Sequence, residues 1–320
     1  MKKHLFILLI STSLLLILGC KGPEEQPTTI PLTPTSNQTS QIEKTEVIEP
    51  TPLEEITSTD AVQATEILET ATPEPAPTED TRLLPEEWQS WPVIPALSSA
   101  MIEVYQQGLA MGNRENAFSK VGDCLLIPEA FLGFFDDPDY VLPARMEHLQ
   151  GTLDLFQGSF AREGYSLKGG FVFPTVFSPL RADSSVCNPG ETPFECELRV
   201  HQPSFVLISM EFRYEGRTVE THEKYMRKAV EYALSRGVVP ILSTKADDYE
   251  GGHYLNIKTV ELAYEYDLPL MNYWRAVQHL PNHGIGKEPN GFHTTHEAWL
   301  TRSETFLTVL DTLYNQANGY

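Results

Sequence analysis

The chain has 320 residues, 41% of them hydrophobic, and sets 44 Asp and Glu against 23 Lys and Arg, a formal net charge of −21. So acidic a chain lacks the basic footprint that nucleic acid or an anionic lipid surface requires, and neither is expected as a ligand. The length suits one large folded domain accompanied by segments of other character.

In chain order, Lys2 and Lys3 precede an apolar run from Leu5 to Leu18, which ends in Leu18-Gly19-Cys20. A basic start, a short apolar core and a small residue before the cut describe a secretory signal peptide over 1–19. The run, about 14 residues, falls short of the about 20 needed to span a bilayer. Leu-Gly-Cys in this place resembles the lipobox of bacterial lipoproteins. The resemblance implies cleavage before Cys20, lipidation of its sulfur, an acylated (palmitate-type) amine and attachment to the extracytoplasmic side of a bacterial envelope membrane. Two or three acyl chains anchor stably where a single chain binds only marginally.

From Cys20 to about residue 83 the composition changes. Pro, Thr, Glu and Ser dominate, and residues 21–79 hold no aromatic side chain. Such a stretch has too few large apolar residues to offset the entropy of ordering, and it is expected to be an extended, disordered tether. Roughly half of the net charge falls in it, so the remainder is only moderately acidic.

Residues 84–320 read as one α/β domain, which Trp88, Trp91 and Pro92 open. Apolar residues at helical spacing predict a helix over 96–111, ended by Gly112-Asn113. A strand is predicted over 117–121, a buried strand over 205–208 and an amphipathic helix over 219–236 closed by Gly237. Then come a strand over 238–243, a helix over 254–266, a short strand over 269–273 and a closing helix over 296–314. Strands alternating with helices indicate βαβ units, hence a three-layer, doubly wound, mostly parallel sheet.

The cysteines fall into three groups. Cys20 takes lipid. Cys187 and Cys196 flank a Pro- and Gly-containing stretch, which in an exported chain reads as a disulfide stapling a surface loop. A metal reading would need a nearby His pair, which this stretch lacks, so no metal is expected. Cys124 remains. His201, His222, His253, His279, His283 and His296 read as surface or loop residues. The acidic stretch Asp247-Asp248-Tyr249-Glu250 reads as a solvated loop, with Lys245 and Asp247 as candidate rim contacts.

Gly122-Asp123-Cys124 follows the first strand, where open α/β sheets place their chemistry. Further blocks are Gly169-Gly170-Phe171, Ile208-Ser209-Met210-Glu211, Ile241-Leu242-Ser243-Thr244-Lys245-Ala246-Asp247 and Asn290-Gly291-Phe292-His293. Over residues 115 to 300 this order resembles the SGNH/GDSL hydrolase superfamily, and the local text is similar to SGNH-like domains of bacterial envelope lipoproteins. The resemblance implies a nucleophile at Cys124 and a base at His293. It implies oxyanion donors at Gly170 (or Gly169), at Cys124 itself and at position 211, and an orienting residue at Asn290. Three positions depart from the superfamily pattern: Cys124 replaces serine, Glu211 replaces an asparagine donor and Asn290 replaces an aspartate.

Each departure has a physical consequence. A thiol paired with His can ionise well below its free pKa of about 8.5. Asn can orient a catalytic imidazole, because a Cys-His ion pair needs less help from a carboxylate. An ionised Glu211 would oppose a developing oxyanion, where losing one neutral donor already costs about 3 kcal/mol. A protonated Glu211 would donate instead, and an ion pair of Glu211 with His293 would close the site. Three functions follow. One is an ester hydrolase acting on acyl esters of carbohydrates or small molecules. Another is a catalytically inactive domain that binds a glycan or partner protein in the same cleft. The third is a redox or structural role for Cys124. No cofactor is expected, and a monomer is.

Overall fold

The computed structural model describes residues 81–210, 218–287 and 293–320. Cys20, Glu211 and Asn290 lie outside these, as does the tether up to residue 80. From Arg82 onward the described residues belong to one compact unit.

Four strands, β1 (Arg114–Gly122), β2 (Pro203–Ser209), β3 (Val239–Ser243) and β4 (Leu270–Met271), form one sheet in the order β1-β2-β3-β4. Every pairing is parallel. The helices are α1 (Ser99–Ala110), α2 (Gln150–Leu155), α3 (Phe173–Val176) and α4 (Pro193–His201), then α5 (Val219–Ser235), α6 (Tyr254–Glu265), α7 (Tyr273–Ala276) and α8 (His296–Asn318). Helices α1 and α8 pack on each other and against β2, β3 and β4, while α4, α5 and α6 pack in sequence against β1, β2 and β3. This is the three-layer α/β/α fold that the alternation of elements predicts. Both faces of the sheet are covered, so β2 and β3 are buried along their whole length, as is β1 from Ala117 onward. Continuous apolar runs such as Phe205-Val206-Leu207-Ile208 are the sequence form of that double burial.

The register sets the site. Gly122 pairs with Ser209, Ile208 with Leu242, and Ser243 with Met271, so all four strands end at one level. Gly122 also bridges in parallel to Leu167 on the far side of β1. The chain therefore leaves β1 toward Leu167 and returns on the other side as β2. That reversal at the carboxyl end of β1 is a topological switch point, where open α/β sheets form their crevices.

Several expectations are corrected. The strand expected over 269–273 shrinks to Leu270–Met271, because Asn272 caps α7: its side-chain oxygen accepts from the Arg275 amide (3.1 Å) and its Nδ2 donates to the Trp88 carbonyl (2.8 Å). The closing helix continues past Tyr314 to Asn318 and stops where Gly319 adopts φ 75°. The expected Cys187–Cys196 disulfide forms, with Cα atoms 5.3 Å apart, and it closes a loop in which Asn188, Pro189 and Gly190 are exposed. Cys196 is fully buried in the first turn of α4, which begins with a Thr192–Glu195 capping box. His201 is no surface residue: Arg114 donates to its Nδ1 (2.7 Å) and its Nε2 meets the Phe118 carbonyl (3.1 Å). Burial, with Arg162 adding to it, lowers its pKa to about 4.

Strand β1 also carries Lys120, which is 3% exposed and donates from Nζ to the Phe160 carbonyl (2.7 Å). Burial brings its pKa down to about 7, against the pull of Asp136 and Glu197. Its folded pKa thus lies below its unfolded value, so between about pH 7 and 10 the unfolded chain binds more protons and stability rises with pH. Lys120→Met removes that slope. Urea unfolding should find the advantage of the variant smaller at pH 9 than at pH 7 by about 2 kcal/mol. Parallel pH profiles for the two proteins would contradict the assignment.

Candidate active site

The turn after β1 is tight. A Cβ at Gly122 would fall 2.3 Å from Leu126 Cδ1 and 2.8 Å from the Ser209 carbonyl oxygen, so no side chain fits there. Asp123 is 1% exposed, and its Oδ1 accepts from the Leu125 amide (2.9 Å) while its carbonyl accepts from Leu126 (3.1 Å). Glycine lets the chain turn beside β2, aspartate closes the turn, and Cys124 is held half-buried at its tip.

The neighbouring glycines are brought to the same place. The Gly122 amide donates to the Ser166 carbonyl (3.3 Å) and Ser166 Oγ donates to the Lys120 carbonyl (3.0 Å), fixing the next segment along β1. A turn follows, closed by the Phe171 amide on the Lys168 carbonyl (3.0 Å), with Gly170 at φ +81°. Gly169 is the glycine that faces Cys124, since a Cβ built on it would lie 3.9 Å from Cys124 Cβ. A Cβ on Gly170 would meet nothing within 4 Å.

His293 lies at the same end of the sheet. Its carbonyl accepts from the Gly286 amide (2.7 Å), and the next residue forms an antiparallel bridge with Ile285. Thr295 then caps α8 by accepting from the Ala298 amide (3.3 Å). Glu211 and Asn290 are outside the described residues, so of the expected site residues the structure brings together the Cys124 turn and the Gly169-Gly170 turn, with His293 leading into α8.

Two features were not anticipated. Arg302 on α8 is 3% exposed, and its guanidinium donates to Ser209 Oγ (2.8 Å) and toward the Leu125 carbonyl (3.4 Å). It lies 5.2 Å from the Phe131 ring centroid and 4.8 Å from that of Tyr273. The cation therefore ties α8 to the ends of β1 and β2, directly beneath the Cys124 turn. The sequence held a clue: Ala298, Arg302 and Phe306 follow at helical spacing, which puts a charge on the apolar stripe.

The second feature overturns an expectation. Lys245 and Asp247 are buried side chains, not rim contacts, and Glu250 turns inward with them, while Asp248 and Tyr249 leave the outer side of the loop exposed. Lys245 Nζ pairs with Asp247 (2.8 Å) and Glu250 (2.5 Å), with all three side chains 4% exposed or less. Asn256 locks the backbone of Lys245, accepting from its amide (2.8 Å) and donating to its carbonyl (3.0 Å). Burial alone would lower the Lys245 pKa, but the two carboxylates more than reverse this and hold it raised. Charges so enclosed persist because each is paired. The nearby His222, packed edge-on to Phe173, is held neutral, its pKa lowered to about 3 by burial and then by Lys245.

No family model matches the chain, and no curated protein matches it. Among solved structures it is similar to a lipolytic protein of the G-D-S-L family from Desulfitobacterium hafniense, at 13% identity and TM-score 0.41, over 61% of this chain and 99% of that one. It is similar to a GDSL-like lipase from Bacteroides thetaiotaomicron, at 12% identity and TM-score 0.40, over 66% and 98%. It is also similar to an acetyl xylan esterase from Geobacillus stearothermophilus, at 12% identity and TM-score 0.39, over 63% and 96%. The three-layer architecture itself rests on the sheet and helices described above.

Lys245→Met strands two buried carboxylates and should destabilise the domain by about 3 kcal/mol or more. The triple change Lys245→Met, Asp247→Asn, Glu250→Gln should recover part of that loss. Chemical denaturation measures both, and a near-neutral single variant would refute the buried triad.

Proposed function

We propose that this chain is an ester hydrolase of the SGNH/GDSL kind, anchored to the cell envelope, with Cys124 as nucleophile and His293 as base. The carrying observation is the Gly122-Asp123-Cys124 turn at the switch point of the sheet, facing the Gly169-Gly170 turn. Its substrates are acyl esters of carbohydrates or small molecules. The anchor is supported by Leu18-Gly19-Cys20 and the Pro-, Thr- and Glu-rich stretch that follows.

In the acylation step, His293 takes the thiol proton and Cys124 Sγ attacks the acyl carbonyl, forming a C–S bond and an oxyanion. Backbone amides of the Cys124 turn and the Gly169-Gly170 turn are the neutral donors suited to that oxyanion. Collapse breaks the C–O bond, and the imidazolium of His293 protonates the departing alkoxide. Water, deprotonated by His293, then cleaves the thioester to give the carboxylic acid and restores the thiol. Asn290 stands three residues before His293, where it would orient the imidazole. For turnover, Glu211 must be protonated or turned from the oxyanion, since a carboxylate there opposes the developing charge.

The purified protein should hydrolyse 4-nitrophenyl acetate, and Cys124→Ala should lower kcat/KM by at least about 100-fold. Alkylation by iodoacetamide should abolish turnover in step with labelling of Cys124. Equal rates for the protein and Cys124→Ala would sink the hydrolase reading in favour of a binding domain.

A further inference from the structure

A permanent charge lies beneath the Cys124 turn. Arg302 of α8 is 3% exposed, and its guanidinium reaches the ends of two strands. One nitrogen donates to Ser209 Oγ (2.8 Å) and another toward the Leu125 carbonyl (3.4 Å). Ser209 is the rung opposite Gly122, and Leu125 follows Cys124 directly, so the two contacts bracket the turn. Counted through the Leu125 carbonyl and one Cα–Cα step, the guanidinium is no farther than about 10 Å from the Cys124 Cα.

Packing fixes the charge in this position. The fully buried rings of Phe131 and Tyr273 have their centroids 5.2 and 4.8 Å from it. The Tyr273 hydroxyl donates to the Ala298 carbonyl (3.1 Å) and the Leu132 amide to Ser303 Oγ (3.2 Å), which locks this stretch of α8 against the same walls. Ring faces attract a cation without cancelling its charge. Salt screens a buried charge little, and a unit charge about 10 Å away shifts a titrating group by about one pH unit. Arginine suits the position because a buried ammonium holds its proton less tightly: burial brings the pKa of Lys120 down to about 7.

We propose that Arg302 is a positioning residue for Cys124, its fixed charge favouring the thiolate over the thiol and then the oxyanion formed beside it. Serine loses its proton only as it attacks, whereas a thiol can ionise beforehand, so a standing positive charge acts on cysteine in the resting protein. The other titratable groups around the turn do not supply that charge. Asp123 is buried in the same turn, and Glu211 follows β2 outside the described residues; both are carboxyl groups, which oppose a thiolate. Lys168, Glu129, His296 and Glu297 are exposed to solvent, where charge is screened. His293, leading into α8, becomes charged only once it has taken the thiol proton.

The proposal takes from the ester-hydrolase reading only the nucleophile role of Cys124, and its test needs no turnover. The full-length His293→Ala protein is alkylated with iodoacetamide over a pH series, and labelling of Cys124 is followed by mass spectrometry of its peptide. Removing His293 leaves Arg302 to act on the thiol without an imidazolium. Added in this background, Arg302→Gln keeps a hydrogen-bond donor without the charge, and Arg302→Met removes both. The midpoint of alkylation should rise by about one pH unit in each. A midpoint unchanged in Arg302→Gln, whether or not Arg302→Met moves it, shows a hydrogen-bonding or packing role alone and overturns the proposal. Should neither variant fold, the His293→Ala protein decides: a midpoint below the free-thiol value of about 8.5 supports the proposal, and one at or above it contradicts it. Failure of the 4-nitrophenyl acetate assay with the shift intact would remove the hydrolase reading and leave Arg302 acting on the thiol.

Discussion

The turn that carries Cys124 exists because residue 122 has no side chain. Its Cα sits at the last rung of β1, where the Ser209 carbonyl of β2 and the Leu126 side chain close in to within 3 Å of where a Cβ would be. Any other residue would push the turn away from β2 or break the Gly122–Ser209 rung. Much follows from that one close approach: Asp123 goes inward to close the turn, and Cys124 goes to the tip. The Leu125 carbonyl comes within reach of Arg302, and the Gly169-Gly170 turn comes alongside through the Gly122–Leu167 bridge. The functional geometry is thus a property of backbone packing between parallel strands, set before any catalytic group is considered.

Around this turn the fold buries charges in numbers that need a reason. Glu197 is enclosed beside the middle of β1, accepting from Ser119 Oγ (2.5 Å), from the Tyr165 amide (2.7 Å) and from the Arg162 guanidinium. Lys245 is enclosed with two carboxylates, and Arg302 with a hydroxyl, a carbonyl and two ring faces. Lys120 has one strong acceptor and a depressed pKa, and it is the exception that shows the rule: a buried cation without an ion-paired carboxylate holds its proton less tightly. Against an apolar replacement such groups contribute little net stability. What they contribute is position, since each ties a loop or helix to a strand end by directional bonds that apolar packing alone would leave adjustable.

How much of this was legible follows from where the physics is local. Strands β2 and β3, helices α5 and α6, and the start of α8 are written as runs and periods that any window of the chain displays, so their expected bounds fall within two residues of those observed. The Gly122-Asp123-Cys124 turn was legible because Gly-Asp at a strand end has a local geometric meaning. The Lys245 triad was not. Asp247, Asp248 and Glu250 in one stretch read as a solvated surface, and only the return of α6 through Asn256 folds two of them inward. Arg302 stands as a charge on an apolar stripe, yet its partners are Ser209 at the end of β2 and Leu125 in the turn after β1, 93 and 177 residues away in the chain. Burial of a charge depends on partners distant in sequence, and a period along one helix does not name them.

A reactive thiol in a chain that also holds a disulfide faces a chemical problem that serine does not, because thiolate attacks disulfides. The same chain carries the Cys187–Cys196 pair, so a reactive Cys124 could exchange with it. Exchange requires in-line access to a sulfur, and here Cys196 is fully buried within α4 while Cys187 is 7% exposed. The pair is closed off by the first turn of that helix, where Thr192 and Glu195 satisfy each other's backbone amides and Arg199 approaches the Cys196 sulfur (3.8 Å). Cys196 is enclosed in a capped helix start while Cys187 lies on the loop before it, so at least one sulfur of the pair is shielded from attack. Such shielding is what a reactive thiol at position 124 would need in order to act on a carbonyl carbon rather than on the disulfide.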